Sequence, residues 1–362
     1  MRLRGTYGSM IGLRWLVTRG EDVREAAKEE RAMEYRTLGR SDIRVPVISF
    51  GAWAIGGSMW GGTDDAAAIR AIQAGIDLGL TCIDTAPVYG MGHSERLVGN
   101  AIAGRRENVI VATKCGLRWD LEQGQFFFES HDLSGTPCKI YRNLRPASIR
   151  HECEQSLKWL GIDCIDLYQC HWPDPTSSLD DAIDTLLDLQ QQGKIRAIGV
   201  SNFNVDMMQH CLKRCVIASD QPKYNMLERG IEEDVLPVCV DEDVGILVYS
   251  PLAMGLLTGK VTMERTFKGD DTRRNRPWFS PTNRRRVLDV LAKIKPIAEG
   301  HNATVGQVAV NWVICQKGIT SALVGARNEA QVAENAKAAS FRLTETELKT
   351  IRKLVEDLGE PI

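Results

Sequence analysis

The 362-residue chain lacks most of the features that would assign a function at a glance. Its ten cysteines (Cys82, Cys115, Cys138, Cys153, Cys164, Cys170, Cys211, Cys215, Cys239 and Cys315) form no C-x-x-C pair, and several stand inside apolar runs. Reduced thiols in a cytoplasmic core are expected, not a disulfide scaffold or a zinc site. No apolar stretch reaches the roughly 18 residues of a membrane span. The net charge is only −2, with acidic and basic residues mixed along the chain, so there is no basic stripe of the kind that binds nucleic acid. No G-x-G-x-x-G follows the first strand pattern, which weighs against an open dinucleotide-binding sheet. A small-molecule partner is the class that survives, with neither membrane nor nucleic acid involved.

What is present suffices for one large core: 43% of residues are hydrophobic and 25% charged. Residues 1–32 stand apart. Met10 to Val17 is mildly apolar, but Arg14 interrupts it, and Glu21 to Arg31 is a charged run. The expectation is a disordered extension and not a targeting peptide, with the domain spanning 33–362.

Tyr35 to Arg44 predicts a short hairpin turning at Gly39-Arg40-Ser41-Asp42. Beyond it, apolar strand cores recur at Val47–Trp53, Cys82–Thr85, Val109–Lys114, Ile165–His171, Ala197–Ser201, Ala218–Gln221, Gly245–Tyr249 and Ser321–Val324. Helical stripes lie between them: Ile69, Ile72 and Ile76 with Gly79 as the stop; Ile149, Cys153, Leu157 and Leu160; and Ile183, Leu186 and Leu187. Thr344 and Glu347 form a capping box before the last helix. Eight near-continuously apolar strands alternating with helices predict an α/β fold, a single-domain (β/α)8 TIM barrel with a short N-terminal β-hairpin and long βα loops. An open doubly wound sheet is the competing architecture. The segments from Cys115 to Leu144, with Trp119 and Phe126-Phe127-Phe128, and from Pro251 to Pro281 read as long loops at the C-terminal ends of strands, where barrels hold their active sites.

Asp84, Lys114 and His171 end three of those strands, and Tyr89 follows Asp84 by five residues. Strand alternation turns His171 and Gln169 to the barrel axis and Cys170 away, so Cys170 and His171 are not a nucleophilic pair. A lysine at the end of a buried strand needs a counter-charge, and Asp84 is the nearest in barrel order. An alkoxide formed by hydride attack on a carbonyl must take up a proton. Tyrosine, near pKa 10, is a sluggish donor unless a neighbouring ammonium lowers it, by about one to three units. Lys114 would be that ammonium, Asp84 its anchor, and His171 a hydrogen-bond donor to the carbonyl oxygen.

Ile83-Asp84-Thr85-Ala86-x-x-Tyr89-Gly90, the Thr113-Lys114 and His171 strand ends, and Gly199-Val200-Ser201-Asn202-Phe203 together resemble the aldo-keto reductase superfamily, in order, from about Met33 to the C-terminus. The branch it most resembles is the bacterial one of general-stress and inositol-operon reductases. That resemblance implies an NAD(P)-dependent oxidoreductase passing hydride between NADPH and a small aldehyde, ketone or aldose. Asp84, Tyr89, Lys114 and His171 would be its catalytic tetrad. It further implies that Ser201, Asn202 and Gln221 hold the nicotinamide carboxamide, that the ring stacks on Tyr249, and that Trp53 faces it. By the same likeness Ser250, Pro251, Leu252, Gly255 and Lys260 cover the pyrophosphate, joined by Arg274. Gly325 and Arg327 would meet the adenosine 2′-phosphate, with Gln331, Glu334 and Asn335 near the adenine. Many relatives carry a lysine and a further arginine where this chain has Gly325 and Gln331, so preference for NADP over NAD rests on Arg327.

Taken singly, each residue has a quieter explanation. Asp84 and Lys114 could be a structural ion pair, His171 a satisfied core histidine, Tyr89 a loop residue over the mouth, Ser201-Asn202 a helix cap, Arg327 a solvated charge, and the three phenylalanines packing. Two whole-protein alternatives are a lyase using Lys114 as a Schiff base and a non-catalytic subunit that senses redox state by binding NADPH.

Overall fold

The computed structural model describes residues 33–267 and 269–362. The extension expected at residues 1–32 therefore lies outside the described residues. Eight strands, β1 (Ile48–Gly51), β2 (Cys82–Asp84), β3 (Ile110–Cys115), β4 (Ile165–Cys170), β5 (Ile195–Ser201), β6 (Ser219–Gln221), β7 (Gly245–Tyr249) and β8 (Ile319–Gly325), close into a barrel in sequence order. Every neighbouring pair is parallel, including β8 with β1, so the open-sheet alternative is excluded.

Alternation along the strands sorts the core in two. Cys82, Ala112, Leu167, Ala197, Ala218, Leu247 and Leu323 cluster together, and Leu38, Ile43 and Val45 of the N-terminal hairpin join them. That hairpin pairs Tyr35–Thr37 with Arg44–Pro46 around the expected turn. A larger cluster carries the opposite side of the strands, such as Ile83, Val111 and Tyr168, together with the helices. Gly199 makes room in the barrel: a Cβ there would sit 2.8 Å from Ser219 Oγ and 2.9 Å from Gln169 Cγ.

The helices start and stop where side chains satisfy their free ends. Asp64 accepts from the Ala67 amide to open Asp65–Asp77, and Gly79, at φ +88°, ends the turn that follows. Thr344 and Glu347 make the predicted capping box on Glu345–Leu358. Asn204 caps Val205–Leu212. Ser201 and Asn202 are thereby left free of the capping role that they could have played.

The segment from Cys115 to Leu144 corrects the expectation of a loop. It is a three-stranded antiparallel sheet of Leu117–Arg118, Gln125–His131 and Pro137–Arg142. Its aromatic residues pair across the strands, as Phe126 does with Tyr141 at 5.8 Å between ring centroids. Asp132 closes its turn by accepting from the Ser134 and Thr136 amides.

Asp220, between Ser219 and Gln221, turns away from the axis into the apolar layer, fully buried, and neither of its carboxyl oxygens has a hydrogen-bond partner of good geometry. Burial pushes its pKa up to about 8. The sign follows: the unfolded chain ionises Asp220 near its ordinary 3.8 while the folded protein keeps it protonated, so stability is lost as pH rises from about 4 to about 8. Asp220→Asn is expected to melt close to the parent at pH 5 and several degrees above it at pH 8.5 in scanning fluorimetry. An equal offset at both pH values contradicts the assignment.

Candidate active site

The C-terminal ends of the strands open into a cleft of about 1050 Å³. Gly51, Asp84 and Ala112 are register partners across β1, β2 and β3, and Lys114 lies opposite Gln169 across β3 and β4. Lys114 and Gln169 each lie two residues beyond the Asp84 level on the same inward face, so the strand ends bring a carboxylate, a lysine and an amide together. Lys114 is fully buried and Asp84 only 3% exposed. The ammonium directs its three protons to Asp84 Oδ1 (2.7 Å), the Thr85 carbonyl (2.9 Å) and the Tyr89 hydroxyl (3.3 Å). Asp84 Oδ2 accepts from Gln221 Nε2 (2.8 Å) and Gln169 Nε2 (3.3 Å). Gln169 belongs to this network, and its signal was its place two residues before His171 on the same face of the strand.

Tyr89 accepts from Lys114, so its own proton is available to the cleft. Gly90 holds the loop: at φ +67°, a Cβ there would lie 2.1 Å from the Gly56 carbonyl oxygen. The Tyr89 and His171 rings meet edge to face at 5.7 Å. Trp53 stands 6.2 Å from Tyr89 on another side.

The electrostatics correct one expectation. Tyr89 is not made acidic: desolvation, then the Asp84 charge, push the phenol well above 10. Asp84 sits 2.7 Å from Lys114, neutralising the ammonium, and a phenolate at the cleft floor loses its water shell. Burial pulls Lys114 below its ordinary 10.5, opposed chiefly by Asp84. Burial and then the Lys114 charge hold His171 well below 6.5, so its imidazole is neutral, with one N–H to donate.

The other predicted residues fall around the same cleft. Trp53, Ser201, Asn202, Gln221, Tyr249, Ser250, Pro251, Leu252, Gly255, Lys260, Gly325, Arg327, Gln331, Glu334 and Asn335 all line it. Ser201 Oγ donates to the Gln221 carbonyl at 2.7 Å. Asn202 takes φ +61°, donates to the His171 carbonyl at 3.1 Å and accepts from the Tyr249 hydroxyl at 3.0 Å. Asn202 is therefore wired to both His171 and Tyr249. Asn328 caps Glu329–Ala336, and the Gln331 side chain accepts from the Arg327 amide. Lys260 pairs with Glu334 across the outer cleft.

Arg274 is the exception. It lies off the cleft and reaches back to the Gly269 carbonyl at 3.3 Å, while Arg273 and Arg276 line the cleft. The segment Thr272–Asn275 is a 3₁₀ turn, in which residues three apart share a side. Arg273 is clamped to Asp271 through Nε (2.9 Å) and Nη2 (2.6 Å).

Charge divides the cleft. The loops after β6, β7 and β8 contribute Lys223, Lys260, Arg265, Arg273, Arg276 and Arg327, whereas the loops after β1 to β4 contribute Trp53, Trp60, Phe127, Phe128 and Trp172. One half suits a polyanion such as a dinucleotide, and the other a small molecule with an apolar flank. Among the described residues no cluster of His, Cys, Asp or Glu could hold a metal, every cysteine is free, and no helix is long and apolar enough to cross a membrane.

Comparison with known proteins gives the same picture. The profile of the Aldo/keto reductase family matches residues 47–356. An NADH-specific methylglyoxal reductase of Escherichia coli is 37% identical over 327 residues, 89% of this chain and 98% of that protein. The solved glycerol dehydrogenase of Gluconobacter oxydans superimposes with a TM-score of 0.81 at 40% identity, covering 91% of this chain and 97% of its own. An aldo/keto reductase of Klebsiella pneumoniae, solved with NADP and acetate, does so with a TM-score of 0.66 at 27% identity, over 88% and 94%. Likeness of this extent admits a single classification: the chain belongs to the Aldo/keto reductase family of oxidoreductase enzymes.

Proposed function

We propose that the protein reduces small aldehydes, ketones or open-chain aldoses with NADPH, and runs in reverse with the corresponding alcohols. The observation that carries this reading is the position of the Tyr89 hydroxyl: it is held by Lys114 at 3.3 Å, at the floor of a cleft that is cationic on one half and aromatic on the other. A reduced nicotinamide, when bound, supplies the hydride. Everything else is the work of this chain. Asn202, Ser201 and Gln221 offer both donors and acceptors to an amide, and the half-buried Tyr249 offers it a ring face. The neutral His171 donates its N–H to the carbonyl oxygen. Tyr89 keeps its proton until the oxygen becomes an alkoxide, a far stronger base than phenolate. Lys114 then stabilises the negative charge that appears on the phenol oxygen.

A Schiff-base role for Lys114 needs a free amine facing the cleft, whereas the three acceptors around Nζ account for all of its protons. A purely sensory role leaves the arrangement of Tyr89, Lys114 and His171 without a purpose.

NADP is favoured over NAD by Arg327, half-buried beside the start of the helix Glu329–Ala336 and without a carboxylate partner among the described residues. Loss of one charge-assisted contact costs about 1.5–3 kcal/mol. Arg327→Ala is therefore expected to raise the KM for NADPH roughly ten- to a hundredfold and that for NADH by less than threefold. Steady-state kinetics with both cofactors and a simple aldehyde test the reading. No turnover with any aldehyde refutes the activity, and equal shifts in both KM values refute the phosphate assignment.

A further inference from the structure

The bulge in Gln125–His131 sets two aromatic side chains on one face where strict alternation would separate them. Phe126 is paired with Tyr141 and Phe128 with Ile140, which leaves Phe127 as the extra residue. Phe127 and Phe128 consequently both line the cleft, with ring centroids 5.0 Å apart. Arg142 fixes this wall from behind. Its guanidinium lies 4.0 Å from the Phe127 ring centroid and 5.1 Å from that of Trp172, on the loop after His171. Phe127 and Trp172 are themselves 5.2 Å apart.

The same strand brings Glu129 to the cleft. Its cross-strand neighbour Lys139 pairs instead with Glu122 at 3.6 Å, and Glu129 has no ion-pair partner among the described residues. Apart from Asp84, whose charge Lys114 meets, Glu129 is the one carboxylate that the loops after β1 to β4 bring to the cleft, and none of them brings a lysine or arginine. A substrate anion on this side would find flat apolar faces and a like charge, while the nearest guanidiniums are engaged, Arg142 by the rings of Phe127 and Trp172 and Arg273 by Asp271.

We propose that Phe127 and Glu129 set the substrate class: uncharged carbonyl compounds with a flat or apolar flank, to the exclusion of carbonyl compounds that carry a carboxylate or phosphate. This rests on the carbonyl-reductase reading above. Two aldehydes that differ in one charge test it, methyl 4-formylbenzoate and 4-formylbenzoate, assayed by NADPH consumption with the full chain. The parent is expected to favour the ester by at least tenfold in kcat/KM. Glu129→Lys shrinks that preference at least tenfold, and Glu129→Gln falls between. Differences in intrinsic reactivity cancel when the ratios are compared across variants. Raising the salt to about 0.5 M narrows the preference of the parent but not of Glu129→Gln, because screening acts on an exposed charge. Phe127→Ala raises the KM for the ester more than that for propanal. NADPH fluorescence titration checks that each variant is folded. If the parent reduces no aldehyde, the proposed function fails, and this inference with it. If the parent reduces ester and acid alike, or Glu129→Lys keeps the parental ratio, this inference alone is overturned.

Discussion

Tyr89→Phe should lose about two to four orders of magnitude in kcat while binding the dinucleotide close to parental affinity. The substitution removes one oxygen and leaves the ring that packs edge to face against His171 at 5.7 Å and beside Trp53 at 6.2 Å. What disappears is the proton that the alkoxide must receive, an interaction made only as charge develops, so the loss falls on kcat and not on KM. The pH profile adds a second check. Desolvation and Asp84 hold the phenol well above 10, so the parent's reduction rate should show no loss from Tyr89 ionisation between pH 6 and 9. A Tyr89→Phe enzyme within tenfold of the parent removes Tyr89 from the chemistry, and the proton must then come from elsewhere.

Lys114→Met should affect both activity and folding. The pair with Asp84 is buried, at 2.7 Å, and removing one partner of a buried pair costs about 3–5 kcal/mol because the remaining charge has no water to return to. Urea unfolding should therefore show the variant less stable by that amount, with kcat reduced at least a hundredfold. The double variant Asp84→Asn/Lys114→Met separates the two roles. With neither charge left to strand, most of the stability returns. Activity does not, because nothing stabilises the phenolate. Full stability in the single variant, or recovered activity in the double, would contradict the role given to Lys114.

Much of the site can be located without coordinates, for a definite reason. A residue at the C-terminal end of an inward-facing strand position has few places to go, and closure of the barrel brings all eight ends to one mouth. Asp84, Lys114, Gln169 and Gln221 meet because each is an inward position near the end of its own strand. The capping box of Thr344 and Glu347 is legible for a similar reason: the rule that places it spans only three or four residues.

The loops obey no such local rule. The 3₁₀ turn that aims Arg273 and Arg276 at the cleft and Arg274 away from it is held by Asp271 and by Arg273 stacking on Phe267 and on Trp60, the last from the distant loop after β1. The sheet that replaces an expected loop after β3 depends on cross-strand aromatic pairs and on a bulge, neither of which has a periodicity to read. The depth of Tyr89 is also tertiary: a sequence shows a lysine near a tyrosine, but not the desolvation that, with the Asp84 charge, pushes the phenol above its ordinary value. The amino-acid order alone thus determined the barrel, its strand ends and the four groups at its mouth, because alternation and closure constrain them residue by residue. Which of the arginines at 273–276 face the cleft, where the aromatic wall stands and how tightly the phenol holds its proton were decided only by the folded chain, because each depends on packing that no local pattern specifies.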